Sequence, residues 1–266
     1  MQSEITVQKL FTALSNREFV LHYQPLMDTD SGGLSGVESL LRWQHPASKS
    51  VVLASKLVPF LMQDDSLAVA LDDWAVCEAL TQGGEWQQQG LAFGSIAVNL
   101  LSWYRGDAFV AMITKALSTT ALHPGLLALE AHDAVLSAGP LGVLTRVMHE
   151  LARQGVLLAI DNFSWSPAHI EKVMQLPVQF VKVKAEQWAV LMASDRAAMV
   201  KKEIRMLQKS GIRVVAVGVE SADKQMEHYK SGIRLFQGNF YKSPLTAKQL
   251  TSLLDLVQRT TQAYQL

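Results

Sequence analysis

The stretch Leu141–Phe163 reads LGVLTRVMHELARQGVLLAIDNF and sets out the plan of the whole chain. Its first part, Leu141–Gln154, carries apolar residues at helical spacing. Gly155 then supplies the left-handed conformation that ends a helix. Val156–Phe163 follows as a short apolar run interrupted by one acid, Asp161. A run that is apolar on both faces suits a strand covered by helices in a parallel sheet.

The same unit recurs in both directions. Strands are expected at Phe19–Met27, Leu34–Trp43, Ser95–Leu100, Leu126–Glu130, Phe180–Lys184, Arg213–Val219 and Leu235–Gly238. Helices are expected at Leu67–Gln89, Ala185–Lys209 and Ala222–Tyr229, with Gly211 as a second helix-ending glycine. In Ala185–Lys209, residues Val190, Ala193, Ala197, Val200, Ile204 and Leu207 recur at spacings of three and four and predict one buried stripe. Asp28–Gly33 is rich in turn residues, so the first two strands read as an antiparallel hairpin. Eight strands alternating with helices in one chain of this length predict an α/β fold of the (β/α)8 TIM-barrel type, a single domain over residues 1–266. The alternative, a doubly wound open sheet, calls for a glycine-rich first turn, and no G-x-G-x-x-G occurs.

Composition narrows the function. The 266 residues are 49% hydrophobic, enough for a large core. The 24 Lys and Arg balance the 24 Asp and Glu, so the chain lacks the basic footprint of direct nucleic-acid binding and the polybasic run of an anionic-membrane binder. No apolar run approaches the roughly 20 residues that span a bilayer, and MQSEITVQKL lacks the pattern of a signal peptide. One cysteine, Cys77, excludes an internal disulfide and fits a reducing compartment, so a cytoplasmic location is expected. With Trp74, Val76 and Leu80 around it, Cys77 reads as an inert buried thiol. The 7 histidines show no zinc spacing, and His132 reads as structural. Lys201, Lys202 and Arg205 share a helix with Glu203 and read as a solvated face. Trp165, between two serines and before Pro167, reads as part of a surface loop.

A TIM barrel builds its active site at the C-terminal strand ends. In chain order these ends present Glu38, Asn99, Glu130, Asp161, Lys182, Val217 and Gln237. Each polar group would be costly if buried alone. Brought to one mouth, three carboxylates and an amide make a hard oxygen site suited to Mg²⁺ or Mn²⁺.

These residues also carry a resemblance. YQPLMD, GVESLLRWQHP, VNLL, LALEAHD, AIDNF, VKVK, AVGVE and FQGNFYKSP, in that order between Phe11 and Pro244, resemble the EAL-domain family, barrel phosphodiesterases that hydrolyse cyclic di-GMP. The resemblance implies a modified barrel with one antiparallel strand, in accord with the hairpin, and terminal helices outside the matching region. It assigns Glu38, Asn99, Glu130 and Asp161 to a first metal and Lys182 to the attacking water. It assigns Gln24, Glu38, Leu40, Arg42 and Gln237 to the nucleotide.

The sequence departs from the family where a second metal would sit. The paired acids read Asp161-Asn162, the family's Lys-x-Asp reads Lys182-Val183-Lys184, and the first Glu of Glu-Gly-Val-Glu is Val217. The glycine-rich loop after the acids reads Ser164-Trp165-Ser166-Pro167. On a regular strand Lys182 and Lys184 share a face, so Lys184 is expected at the mouth. The expectation is a regulator that binds cyclic di-GMP without efficient hydrolysis, with Mg or Mn at one position only. A nucleotide-independent regulator that binds a protein, and an active phosphodiesterase, are the alternatives. A homodimer is compatible with the resemblance, although the loop that family members often use for it is altered here.

Overall fold

A computed structural model describes residues 5–46, 48–137 and 142–263. Its elements run α1 (Val7–Ser15), β1 (Phe19–Asp28), β2 (Gly33–His45), β3 (Ser50–Leu53), α2 (Ala54–Leu61), α3 (Asp65–Gln88), β4 (Ser95–Leu100) and α4 (Asp107–Thr120). They continue with β5 (Leu127–His132), α5 (Gly142–Arg153), β6 (Leu157–Asp161), α6 (Pro167–Val173), β7 (Phe180–Lys184), α7 (Ala185–Met192), α8 (Ala197–Lys209) and β8 (Arg213–Val217). The last elements are α9 (Ala222–Lys230), β9 (Leu235–Gln237), β10 (Leu245–Thr246) and α10 (Ala247–Ala263). Leu141, where the α5 helix was expected to begin, lies outside the described residues.

Strands β2, β4, β5, β6, β7, β8 and β9 pair in parallel in that order, and β1 closes the ring by pairing antiparallel with both β2 and β9. This is the modified barrel, with one reversed strand set by the Asp28–Gly33 turn. Short strands β3 and β10 extend it on β2 and β1. Gly155 and Gly211 have φ of +89° and +83° and end α5 and α8 as expected. The main core lies between the barrel and its helices, while α1, α2 and the start of α3 bury Leu10, Leu57, Leu67 and Leu71 against Phe19 and Trp43.

Three expectations are corrected. The single helix Ala185–Lys209 is two helices, α7 and α8. Ser194 donates its hydroxyl to the Leu191 carbonyl and accepts from the Arg196 N–H, and these side-chain bonds compete with helix continuation. Val200, Ile204 and Leu207 are buried as the stripe required, but Val190 is 72% exposed because α7 instead faces the core through Trp188. Trp165 is fully buried rather than on the surface. Its ring meets Phe163 edge-on at 5.3 Å, and its carbonyl accepts from Arg196 Nη1 at 2.7 Å. Cys77 is exposed, since Val76 and Leu80 turn inward from α3 and leave it on the outer side.

One acid in the core braces the end of β4. Asp72 on α3 accepts from the backbone N–H groups of Leu101 (2.9 Å) and Ser102 (2.7 Å) and from the Ser102 hydroxyl (2.6 Å). Burial outweighs those three bonds and pushes its carboxyl up to about 6. A folded-state value above the unfolded one means that the proton is held more tightly by the native protein. Its contribution to stability is therefore fully present below about pH 3.8 and lost as pH rises through about 6. The stability advantage of wild type over Asp72→Asn should fall by roughly 3 kcal/mol between pH 4 and pH 7 in urea titrations. A difference independent of pH would show that Asp72 is ionised throughout.

Candidate functional site at the barrel mouth

The register of the strands brings the polar ends together. Gln24 on β1 lies opposite Glu38 on β2, and Asn99 on β4 opposite Glu130 on β5. Lys182 on β7 reaches across the barrel to both glutamates. Its Nζ is 2.5 Å from Glu38 Oε2 and 2.9 and 2.8 Å from the two oxygens of Glu130. Gln237 Nε2 donates to Glu38 Oε2 at 2.8 Å and to Gln24 Oε1 at 3.2 Å, while Asn99 Nδ2 donates to Glu38 Oε1 at 2.5 Å. Gln24 Nε2 in turn donates to the Lys242 carbonyl at 3.1 Å. Six of the residues expected at the site thus form one connected network.

The network is deep. Glu130, Lys182 and Gln237 are buried, and beneath them a cavity of about 20 Å³ is lined by Gly36, Ala97, Ala128, Ala159 and Val215. Leu26 and Phe180 share that lining with the smaller side chains. Gly238 is fixed by sterics, because a Cβ there would lie 2.0 Å from the Val219 carbonyl oxygen. That close approach sets the turn that presents Gln237.

The two glutamates titrate in opposite directions. Burial pushes Glu38 up, but Lys182, Gln237 and Asn99 outweigh it and hold the carboxyl below its ordinary value. Glu130 is raised, first by burial and then by the charges of Glu38 and Asp161, against the pull of Lys182. Burial alone would lower Lys182; Glu130, Glu38 and Asp161 reverse that and hold its ammonium charged. Two carboxylates share one ammonium, Glu130 through both of its oxygens and Glu38 through one.

The remaining expected residues lie around this centre. Asp161 ends β6, in register with His132, and its charge acts on both Glu130 and Lys182. Leu40 and Arg42 follow Glu38 at alternate positions of β2, and Arg42 Nη1 donates to the Leu41 carbonyl at 2.9 Å. On the β6–β8 side, the positions where the resemblance puts acids hold Asn162, Lys184 and Val217. The Asn162 carboxamide lies 3.1 Å from Nε2 of His132. Lys184 is exposed at the end of β7, in register with Val217, and the glutamates pair with Lys182 instead. Asp133 is engaged by His169, and Glu186 is exposed on α7.

Oxygen donors from Glu38, Asn99, Glu130 and Asp161 suit a hard cation, and the Lys182 ammonium stands among them as a tethered one. A divalent ion held by these residues would displace that ammonium from the glutamates. Among the described residues, no three His, Cys, Asp or Glu side chains already converge as a metal cluster. At the positions where the resemblance puts acids for a second cation, Val217 offers no side-chain oxygen and Asn162 no charge.

Sequence reasoning missed Asp72 and the contact between His132 and Asn162. The one signal for Asp72 was an acid among Leu67, Ala68, Leu71, Ala75 and Val76 on the buried side of α3. Nothing local announces the pairing of His132 with Asn162, which depends on the packing of β5 against β6.

Lys182→Met removes the ammonium and leaves two buried carboxylates without a cation. The expected cost is about 3–5 kcal/mol, read from denaturant unfolding, with part of it recovered in Lys182→Met/Glu130→Gln. An unchanged midpoint for the single variant would show that the glutamates are not held by this pair.

Among the described residues, no helix is long and apolar enough to cross a membrane. The EAL domain family matches residues 7–244. The bifunctional diguanylate cyclase/cyclic di-GMP phosphodiesterase MucR of Pseudomonas aeruginosa is 30% identical over 240 residues, covering 90% of this chain and 35% of MucR. The oxygen sensor protein DosP of Escherichia coli is 25% identical over 92% of this chain and 30% of DosP, so the chain spans about a third of the length of these relatives. The structure of the PaMucR phosphodiesterase in complex with c-di-GMP superposes with a TM-score of 0.82 at 29% identity, over 92% of this chain and 98% of that one. The FimX EAL domain of Pseudomonas aeruginosa bound to c-di-GMP shares the fold, with a TM-score of 0.78 at 21% identity over 91% of this chain and 96% of that one. With the closed barrel, its one reversed strand and the glutamate–lysine network at its mouth, the chain belongs to the EAL domain family.

Proposed function

We propose that this chain is a cyclic di-GMP-binding regulator that does not hydrolyse the nucleotide efficiently. The observation that carries the reading is the asymmetry of the mouth. Gln24, Glu38, Asn99, Glu130, Lys182 and Gln237 are joined in one network, whereas Asn162 and Val217 stand where the family resemblance puts acids. Binding a cyclic dinucleotide draws on the retained half, with Leu40 and Arg42 beside it. Cleavage by a two-metal mechanism needs cations on both the attacking and the leaving oxygen, and losing one such contribution typically costs about 10²–10⁴ in rate.

A hard divalent ion, when bound, supplies positive charge to a phosphodiester oxygen. Glu38, Asn99, Glu130 and Asp161 would hold it. Lys182, once released from the glutamates, keeps its ammonium and can donate to a phosphate or a water beside them. Arg42 offers a planar fork for a phosphate or a guanine edge. Lys184, exposed at the rim, adds favourable charge for an anion and unfavourable charge for a second cation. A nucleotide-independent protein-binding role gains nothing from the Trp165 ring, which is buried and presents no exposed contact.

Calorimetric titration of cyclic di-GMP in Mg²⁺, followed by analysis of the cell contents, tests the reading. Binding at micromolar concentration or tighter with intact nucleotide is expected, weakened at least about tenfold by Arg42→Ala. Restoring Asn162→Asp, Lys184→Asp and Val217→Glu together should raise hydrolysis by about 100-fold or more. Absence of binding would end the proposal, and linear dinucleotide from the wild type would identify an active phosphodiesterase instead.

A further inference from the structure

A second polar constellation lies beside the mouth and takes no part in the network. Asp133 opens a single 3-10 turn after β5, and Ser137 closes it. Across from that turn, His169 projects from α6, where Ser166 caps its backbone N–H. His169 Nδ1 is 2.8 and 3.0 Å from the two oxygens of Asp133, and its Nε2 is 2.9 Å from Ser137 Oγ. Asp133 is 5% exposed, the His169 side chain is 13% exposed, and Ser137 is exposed.

Burial therefore grades from the acid through the imidazole to the hydroxyl. A carboxylate on Nδ1 fixes the proton there and leaves Nε2 as the acceptor for a serine hydroxyl. That division of roles defines a Ser-His-Asp triad, which is recognised by geometry rather than by chain order. A purely structural tie between the two loops does not need Ser137. Nδ1 is already held by Asp133 and by Ser164 Oγ at 2.9 Å, while Ser137 is the exposed member. Lys172, one turn along α6, donates to the Leu136 carbonyl at 2.5 Å and so brings an ammonium next to the peptide unit that precedes Ser137.

We propose that Ser137 is an activated nucleophile, with His169 as its general base and Asp133 as the group that orients the imidazole, and that it accepts acyl groups from small esters at the open rim of the barrel. The Ser137 Oγ–acyl bond forms as its proton passes to His169 Nε2. The ester C–O bond then breaks, and the leaving alkoxide takes that proton. Water, deprotonated by the same imidazole, later releases the acid and restores the hydroxyl. Lys172 holds the Leu136 carbonyl and so fixes the peptide unit before Ser137. The open position of Ser137 favours short acyl groups, and the proposal is independent of cyclic di-GMP binding.

A fluorescent alkyl fluorophosphonate tests this directly, since the Oγ–P bond forms as fluoride leaves. The full chain should acquire one adduct, placed on Ser137 by peptide mass spectrometry and absent from Ser137→Ala. The labelling rate should fall about 100-fold in His169→Gln and at least tenfold in Asp133→Asn. Thermal melts of the variants identify any that fail to fold, and the wild-type arm needs no variant to overturn the proposal. The proposal is overturned if no adduct forms on Ser137 while a serine hydrolase in the same tube is labelled. It is equally overturned if a folded His169→Gln protein is labelled at Ser137 at the wild-type rate.

Discussion

A lysine whose ammonium is buried inside a barrel must meet negative charge there, and this requirement organises the mouth of the protein. The penalty for taking an ion out of water is several kcal/mol even after relaxation. Lys182 offsets it with three carboxylate oxygens within 2.9 Å, two from β5, which only β6 separates from β7, and one from β2, which lies opposite β7 in the ring. The contact therefore ties together opposite sectors of the barrel. Asn99 and Gln237 complete the shell of Glu38, and Gln24 links it to the reversed strand β1.

The other side of the mouth is built by different physics. Asn162 and Trp165 both occupy the left-handed region, with φ of +56° and +57°, a conformation that non-glycine residues adopt at a cost of about 1–3 kcal/mol. The loop is held in it by burial of the Trp165 ring, by the Arg196 bond to its carbonyl and by the Ser164–His169–Asp133 cluster. A segment that the family resemblance makes glycine-rich is replaced by one anchored through a large aromatic side chain. The rim between β5 and β6 is consequently fixed by side-chain contacts.

Much of this was legible in the chain. Apolar runs interrupted by Glu38, Asn99, Glu130, Asp161 and Lys182 mark the parallel strands, because a strand covered on both faces is apolar except where its polar side chains find partners at the mouth. Glycines at 155 and 211, both at positive φ, mark helix ends that other residues fill at a cost. The long helical stripe misled because periodicity does not sense Ser194, whose side chain competes for backbone groups and breaks the segment in two. Trp165 misled for the opposite reason: polar neighbours in sequence are not its neighbours in space.

Local pattern by itself pointed to the barrel, the direction of its first hairpin and the polar residues at the strand ends, since the alternation of apolar runs with helices and the turn residues of Asp28–Gly33 can be read along the chain. Only the tertiary structure decided that Lys182 occupies the centre of the carboxylates, that Asp72 carries its burden in the core and that Ser137, His169 and Asp133 meet. Those three arrangements join elements separated by 144, 30 and 36 residues at their longest spans, and their energies arise from desolvation and mutual distance. No spacing along the chain encodes either quantity.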